Sequence, residues 1–321
     1  MRKTLYRHIN RKLKRKRWTL LLLLGGLLPV MSHAQQNPLF TQYMFNGLVI
    51  NPAYTGSHGA MTATAAVRSQ WTGLKGAPKT QVASLHSPLR FSRSSAGAVF
   101  VHDEVSVFNQ YTAYATYAYA IPVSKNAKIA LGAQAGVNFY KANLSELNII
   151  TSTGIPDPSF SQNESRVLPN LGIGAYFYSK KTYVGISAPT LINNKWNDID
   201  AYTQARQKRH YFLSAGHVFP LGRNVKFKPN VLLKWEEGGP FQYDLNANML
   251  FHEILWVGVS YRMDDSVDGL MELNINNRLS LGYSYGYPIS TLSEYQKGTH
   301  EVVLNYRISR NKNIVYSPRY F

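Results

Sequence analysis

The sequence predicts an all-β protein: a transmembrane antiparallel β-barrel of about fourteen strands, preceded by a segment that is not part of the wall. Three observations predict it. Windows of eight to thirteen residues alternate with a period of two and end at turn chemistry. Connections are tight in some places, as at Ser179-Lys180-Lys181 and Asn276-Asn277-Arg278, and long in others, as at 141–166 and 190–209. Aromatic residues make up 13% of the chain, with 22 tyrosines. Many stand near predicted strand ends, where an amphipathic ring suits the boundary between hydrocarbon and water.

The first element is a leader. Nine of the 35 Lys and Arg residues precede Trp18, and the first 34 residues contain no acid. An apolar run from Thr19 to Val30 follows, interrupted by Gly25-Gly26. It is shorter than the roughly 20 residues a membrane-spanning helix needs. Ser32-His33-Ala34 then supplies a small-x-small cleavage pattern, so 1–34 reads as a secretory signal peptide. Setting the nine leader charges aside halves the formal net charge from +18 to +9. That removes the argument for nucleic acid as a partner, which a pI near 9.9 would otherwise invite. The chain has no cysteine, so it has neither a disulfide framework nor a Cys-based metal site.

Residues 35–60 are rich in Asn, Pro and aromatics and alternate poorly. They read as a segment that lines the lumen or lies at the periplasmic mouth. The barrel itself is expected over 61–321. Its strands fall at 61–70, 80–88, 95–103, 109–120, 128–140, 167–178 and 182–189 in the first half. The second half contributes 210–219, 225–235, 242–251, 255–262, 268–276, 279–287 and 299–308. The clearest is 279–287, where Leu279, Leu281, Tyr283, Tyr285 and Tyr287 alternate with Ser280, Gly282, Ser284 and Gly286. Aromatic girdle positions are expected at Tyr111, Tyr140, Tyr178, Tyr211, Trp235, Tyr261 and Tyr287. Past the leader no apolar run approaches helical spanning length, so a membrane protein of this sequence must be a closed barrel.

The N-terminal stretch carries a family resemblance. It reads Gln36-Asn37-Pro38-Leu39-Phe40-Thr41-Gln42-Tyr43-Met44-Phe45-Asn46, then Asn51-Pro52-Ala53-Tyr54-Thr55-Gly56, then Arg68-Ser69-Gln70-Trp71. Together with Leu255 to Arg262 and His300-Glu301, this resembles the PorP/SprF family of the type IX secretion and gliding machinery of Bacteroidetes. The resemblance implies an outer-membrane helper of secretion. Its implied partners are a cargo adhesin with a type B C-terminal sorting domain, periplasmic components of the system, and outer-membrane lipid. Gly286 departs from the pattern, because an acid is expected after the Gly282 to Tyr285 run.

Read without the family, Asn51-Pro52 is a breaker and Tyr54 an anchor able to pack a loop into a lumen. Arg68 and Trp71 lie three apart and would face opposite sides of a straight strand. Asp244 and Glu272, with Asn246 and Asn274, should point inward and form a polar lumen network that Arg68 joins. Asn51, Pro52, Tyr54, Arg68, Trp71, Asp244 and Glu272 are therefore the candidate lumen or partner-binding residues.

Catalytic signatures are missing from the sequence: there is no G-x-S-x-G elbow and no P-loop. His252-Glu253 lacks a second histidine, and Trp256 occupies its place. Asp264, Asp265 and Asp268 form the best cation candidate, but they lack the glycine and terminal Glu of an EF-hand and an ordinary polar turn is the favoured reading. No cofactor is implied. The expected function is capture of secreted cargo without catalysis, with an outer-membrane solute transporter or porin-like channel as the alternative.

Overall fold

The computed structural model describes residues 40–90, 93–147, 162–194 and 207–308. The predicted leader, the residues 35–39, the bases Arg206, Arg310 and Lys312, and the chain end lie outside the described residues. Strands β1 (Met61–Ser69), β2 (Lys79–Pro88), β3 (Ser94–Val105), β4 (Phe108–Ser124) and β5 (Ala127–Ala142) form the first half of the wall. They are followed by β6 (Glu164–Ser179), β7 (Thr182–Thr190), β8 (His210–His217), β9 (Phe219–Pro220) and β10 (Val225–Glu236). The wall is completed by β11 (Gln242–Phe251), β12 (Leu255–Arg262), β13 (Ser266–Asn274), β14 (Leu279–Pro288) and β15 (Thr299–Ile308).

Both β8 and β9 pair with β10, so they are two pieces of one stave broken at Val218, whose amide donates to the Lys181 carbonyl at 2.8 Å. The wall therefore has fourteen staves. Each neighbouring pair is antiparallel, β10 pairs with β11, and β1 pairs with β15, so the sheet closes on itself. Closure removes the open edges that hydrocarbon cannot hydrogen-bond. No helix among the described residues is long and apolar enough to cross a membrane; the chain crosses with strands.

The period-two pattern is the cause of the inside–outside division. In β14 the odd residues Leu281 to Tyr287 are exposed while Ser280, Gly282, Ser284 and Gly286 are buried. In β13 the exposed Val267, Met271 and Leu273 alternate with the buried Asp268, Leu270 and Glu272. Large apolar side chains thus form the outer wall, with Phe100 and Val259 both more than half exposed, and polar side chains face inward.

Strand direction fixes two unlike ends. Six turns of two to five residues share one end with the start of β1 and the end of β15. The seven connections at the other end include 143–163 and 191–209. Five of the expected girdle residues, Tyr111, Tyr211, Trp235, Tyr261 and Tyr287, lie near this loop end on the outward register. Tyr140 and Tyr178 do not join them. Both fall on the inward register, and Tyr178 is buried at the turn end against Tyr176. Their position near a strand end was visible, but their parity places them inside.

Candidate functional site

Residues 40–60 occupy the barrel interior. Pro52 follows Asn51 and fixes the backbone of a 3-10 turn, Pro52–Tyr54, one of three short 3-10 turns in the segment. The Asn51 carboxamide oxygen caps that turn by accepting from the Ala53 amide at 2.9 Å. Its nitrogen donates to the carbonyls of Ala175 and Ile186, on β6 and β7, at 3.1 and 3.4 Å. One side chain therefore shapes the segment and staples it to two staves. The Ser187 hydroxyl donates to the Ile50 carbonyl at 2.6 Å, and Asn246 donates to the Tyr43 hydroxyl at 3.2 Å. Glycines make room for this close approach: a side chain at Gly132 would collide with the Pro52–Ala53 backbone, and one at Gly174 with Asn51.

Tyr54 is buried and packs edge-on against Tyr176 with ring centroids 5.4 Å apart. Its hydroxyl lies 3.0 Å from His58 Nε2, and His58 Nδ1 is 3.0 Å from the Thr62 hydroxyl. Burial pushes the Tyr54 hydroxyl up to about 12, so it remains a neutral hydrogen-bonding group at ordinary pH. The Gly56 amide donates to His86 Nδ1 at 2.9 Å. This cluster fixes the segment at the turn end, where it runs into β1.

The other end is held by charge. Arg68 on β1 and Glu301 on β15 are directly opposite across the seam that closes the barrel, and their ion pair is 2.9 Å long and fully buried. The same carboxylate accepts from the backbone amides of Thr41 and Gln42, both at 2.9 Å. Arg68 also donates to the Thr41 hydroxyl at 2.9 Å, and that hydroxyl donates to Asp268 at 2.7 Å. Glu301 is thus shared between the wall and the segment. Three donors, one of them charged, therefore converge on this buried carboxylate.

A second buried pair stands on the same side of the lumen. Asp244 on β11 and Arg262 on β12 are opposite in register and make a forked contact at 3.0 to 3.2 Å. Lys228 lies 5.2 Å from the Phe45 ring and 5.4 Å from that of Trp256, so the segment also shields a buried cation. Glu272 is buried on the inward register of β13, and its Oε2 has no hydrogen-bond partner among the described residues.

Asn51, Pro52, Tyr54, Arg68, Asp244 and Glu272 all lie in the interior. Trp71 does not belong with them. β1 ends at Ser69, and Trp71 sits in the following loop at φ 47°, with its amide 3.4 Å from the Thr299 hydroxyl. Asn274 keeps the inward parity of β13 but lies at its turn end, where it donates to the Glu253 carbonyl at 3.0 Å. Asp264, Asp265 and Asp268 separate: Asp264 is exposed, Asp265 approaches Arg262 at 3.5 Å, and Asp268 points inward to Thr41. No group of three metal-ligating side chains converges among the described residues. Asp268 also accounts for Gly286, since the two are opposite in register and a side chain at 286 would collide with the Asp268 carboxylate. Arg307 falls on the inward register of β15.

Two small cavities lie beside the segment. A cavity of 80 Å³ lies between Leu48–Ile50 and the wall at Val99, Asp103 and Gln110, and one of 10 Å³ lies beside Tyr43, Asn51 and Tyr176. Both are smaller than the roughly 300–1,000 Å³ of a small-molecule site. Thr41, Glu301 and Arg262 stood only within the stretches that carry the family resemblance and were not among the candidate site residues. Parity could have marked Glu301 as inward-facing, since β15 alternates as β1 does, although its pairing with Arg68 depends on register.

Comparison with solved structures returns barrels at low similarity. The Ralstonia pickettii toluene transporter TbuX is 8% identical, with a TM-score of 0.48, over 81% of this chain and 92% of that one. A Pseudomonas aeruginosa FadL homologue is 11% identical, with a TM-score of 0.44, over 84% and 94%. The KdgM porin is 8% identical, with a TM-score of 0.37, over 77% and 99%. Likeness at this level carries no functional argument. No curated protein matches the chain. The family model for "Type IX secretion system membrane protein PorP/SprF" matches residues 32–306.

Proposed function

The chain belongs to the PorP/SprF family of type IX secretion membrane proteins, and from that premise we propose that it is a sealed outer-membrane scaffold that holds a secreted cargo adhesin. In this reading the loop end engages the type B C-terminal sorting domain of the cargo, and the turn end meets periplasmic components of the system. The observation that carries the reading is the occupied lumen, bounded by the Thr41–Glu301–Arg68 contacts at one end and the Tyr54–His58–Thr62 contacts at the other. A barrel filled in this way has its outer rims, rather than a pore, left for work.

The loop rim offers a firm contact surface. Loops 70–78 and 289–298 clasp each other through Thr72 N to Gly298 O at 2.9 Å and Lys297 N to Thr72 O at 2.7 Å. On and beside this clasp Leu74, Tyr287, Ile289 and Tyr295 are exposed, with Tyr295 and Tyr287 more than 60% accessible. Exposed apolar groups on a fixed frame suit a protein partner.

The test is display of cargo at the cell surface. Leu74→Ser with Tyr295→Ser is expected to reduce surface adhesin about tenfold while the barrel still folds and inserts, as two anchor residues of a contact would. Loss of a solute's uptake on deletion of the protein, with adhesin display unchanged, would contradict the reading and favour a channel.

A further inference from the structure

Charge is divided unequally between the two ends of the barrel. The six turns at the turn end contain seven bases, Arg90, Arg93, Lys125, Lys180, Lys181, Arg223 and Arg278, and one acid, Glu253. All seven bases are exposed, and Glu253 is already engaged by Lys226 on β10. The described connections at the loop end carry four bases (Lys75, Lys208, Arg209, Lys297) and five acids (Glu146, Glu237, Asp264, Asp265, Glu294). Among the described connections, the net positive charge is therefore gathered at one rim.

Two features indicate what that rim meets. The bases stand on five of the six turns, so they encircle the barrel instead of forming a patch. A protein docked against one side covers a few turns, whereas a shell of lipid touches them all. Exposed apolar residues also stand within three positions of most of these bases: Leu89 by Arg90, Val123 by Lys125, Leu221 by Arg223 and Ile275 by Arg278. A base beside an exposed apolar side chain is the chemistry of a headgroup boundary, with one group in hydrocarbon and the other at phosphate.

We infer that the turn-end collar is a binding site for anionic phospholipid headgroups of the adjacent leaflet. It fixes the depth of the barrel in the membrane and draws an annulus of acidic lipid around it. The inference concerns the outer rim alone and stands independently of cargo binding at the loops.

The experiment uses the full chain reconstituted in nanodiscs of phosphatidylethanolamine mixed with phosphatidylglycerol, with retained lipid counted by native mass spectrometry. The wild type is expected to retain phosphatidylglycerol over phosphatidylethanolamine by about tenfold, a preference that high salt weakens. A collar variant, Arg90→Gln with Lys125→Gln, Lys180→Gln, Lys181→Gln, Arg223→Gln and Arg278→Gln, is expected to lose that preference. The loop-end control, Lys75→Gln with Lys297→Gln, is expected to keep it. Folding of each variant is checked by its gel shift on heating. Equal retention by wild type and collar variant would overturn the inference, as would equal loss in the loop-end control. If the folded collar variant keeps the lipid preference but loses a co-purifying acidic periplasmic protein, the collar is a protein site and the inference also fails.

Discussion

Glu301 is the residue on which the interior turns. It pairs with Arg68 across the closing seam and also accepts from the amides of Thr41 and Gln42. Removing Arg68 leaves a buried carboxylate without its cation, so Arg68→Ala is expected to cost about 3–5 kcal/mol in urea unfolding of the reconstituted barrel. The double variant Arg68→Met, Glu301→Leu separates two roles. If Glu301 served only the ion pair, replacing both partners by apolar groups would restore stability. Because two backbone amides also lose their acceptor, the double variant is expected to stay about 1–3 kcal/mol below wild type. Full recovery would show that the segment does not depend on Glu301. Arg68, Asp244 and Glu272 were readable as inward from parity alone. Their partners were not, because pairing depends on register, and the Arg68–Glu301 contact spans 233 positions. Asp268 shows the limit most clearly: sequence proximity grouped it with Asp264 and Asp265, but alternation turns it into the lumen.

At the scale of elements, alternation located every stave, and the break between β8 and β9 was merged into the single expected strand 210–219. Strand ends extended further than expected where the wall runs past the apolar band, as in β4 and β5. The position of segment 40–60 was only half legible. Asn51-Pro52 announced a turn, but nothing local to 35–60 distinguishes a lumen from a mouth; the distinction lies in Gly132, Gly174 and Gly185, which line the space the segment fills. This yields a prediction. Gly132→Val is expected to displace Pro52–Ala53 while the wall still forms, so the barrel should keep its heat-dependent gel shift but expose residues 40–60 to protease. A segment as protected as in wild type would mean that it does not pack on β5 as described.

At the scale of the whole molecule, the described residues form a closed barrel with an occupied interior and two chemically different rims. Its charge, which composition alone would assign to nucleic acid, resolves into a predicted export leader and a basic collar at the turn end. The loop end holds the clasp between 70–78 and 289–298, the surface proposed to meet cargo. The cargo proposal depends on the barrel being sealed, because a conducting barrel would direct attention to its lumen. Current across a planar bilayer containing the purified full chain measures this most directly. The wild type is expected to show no steady conductance, and a variant with residues 41–57 removed is expected to conduct while retaining its gel shift. Steady conductance from the wild type, unchanged by that deletion, would contradict the account.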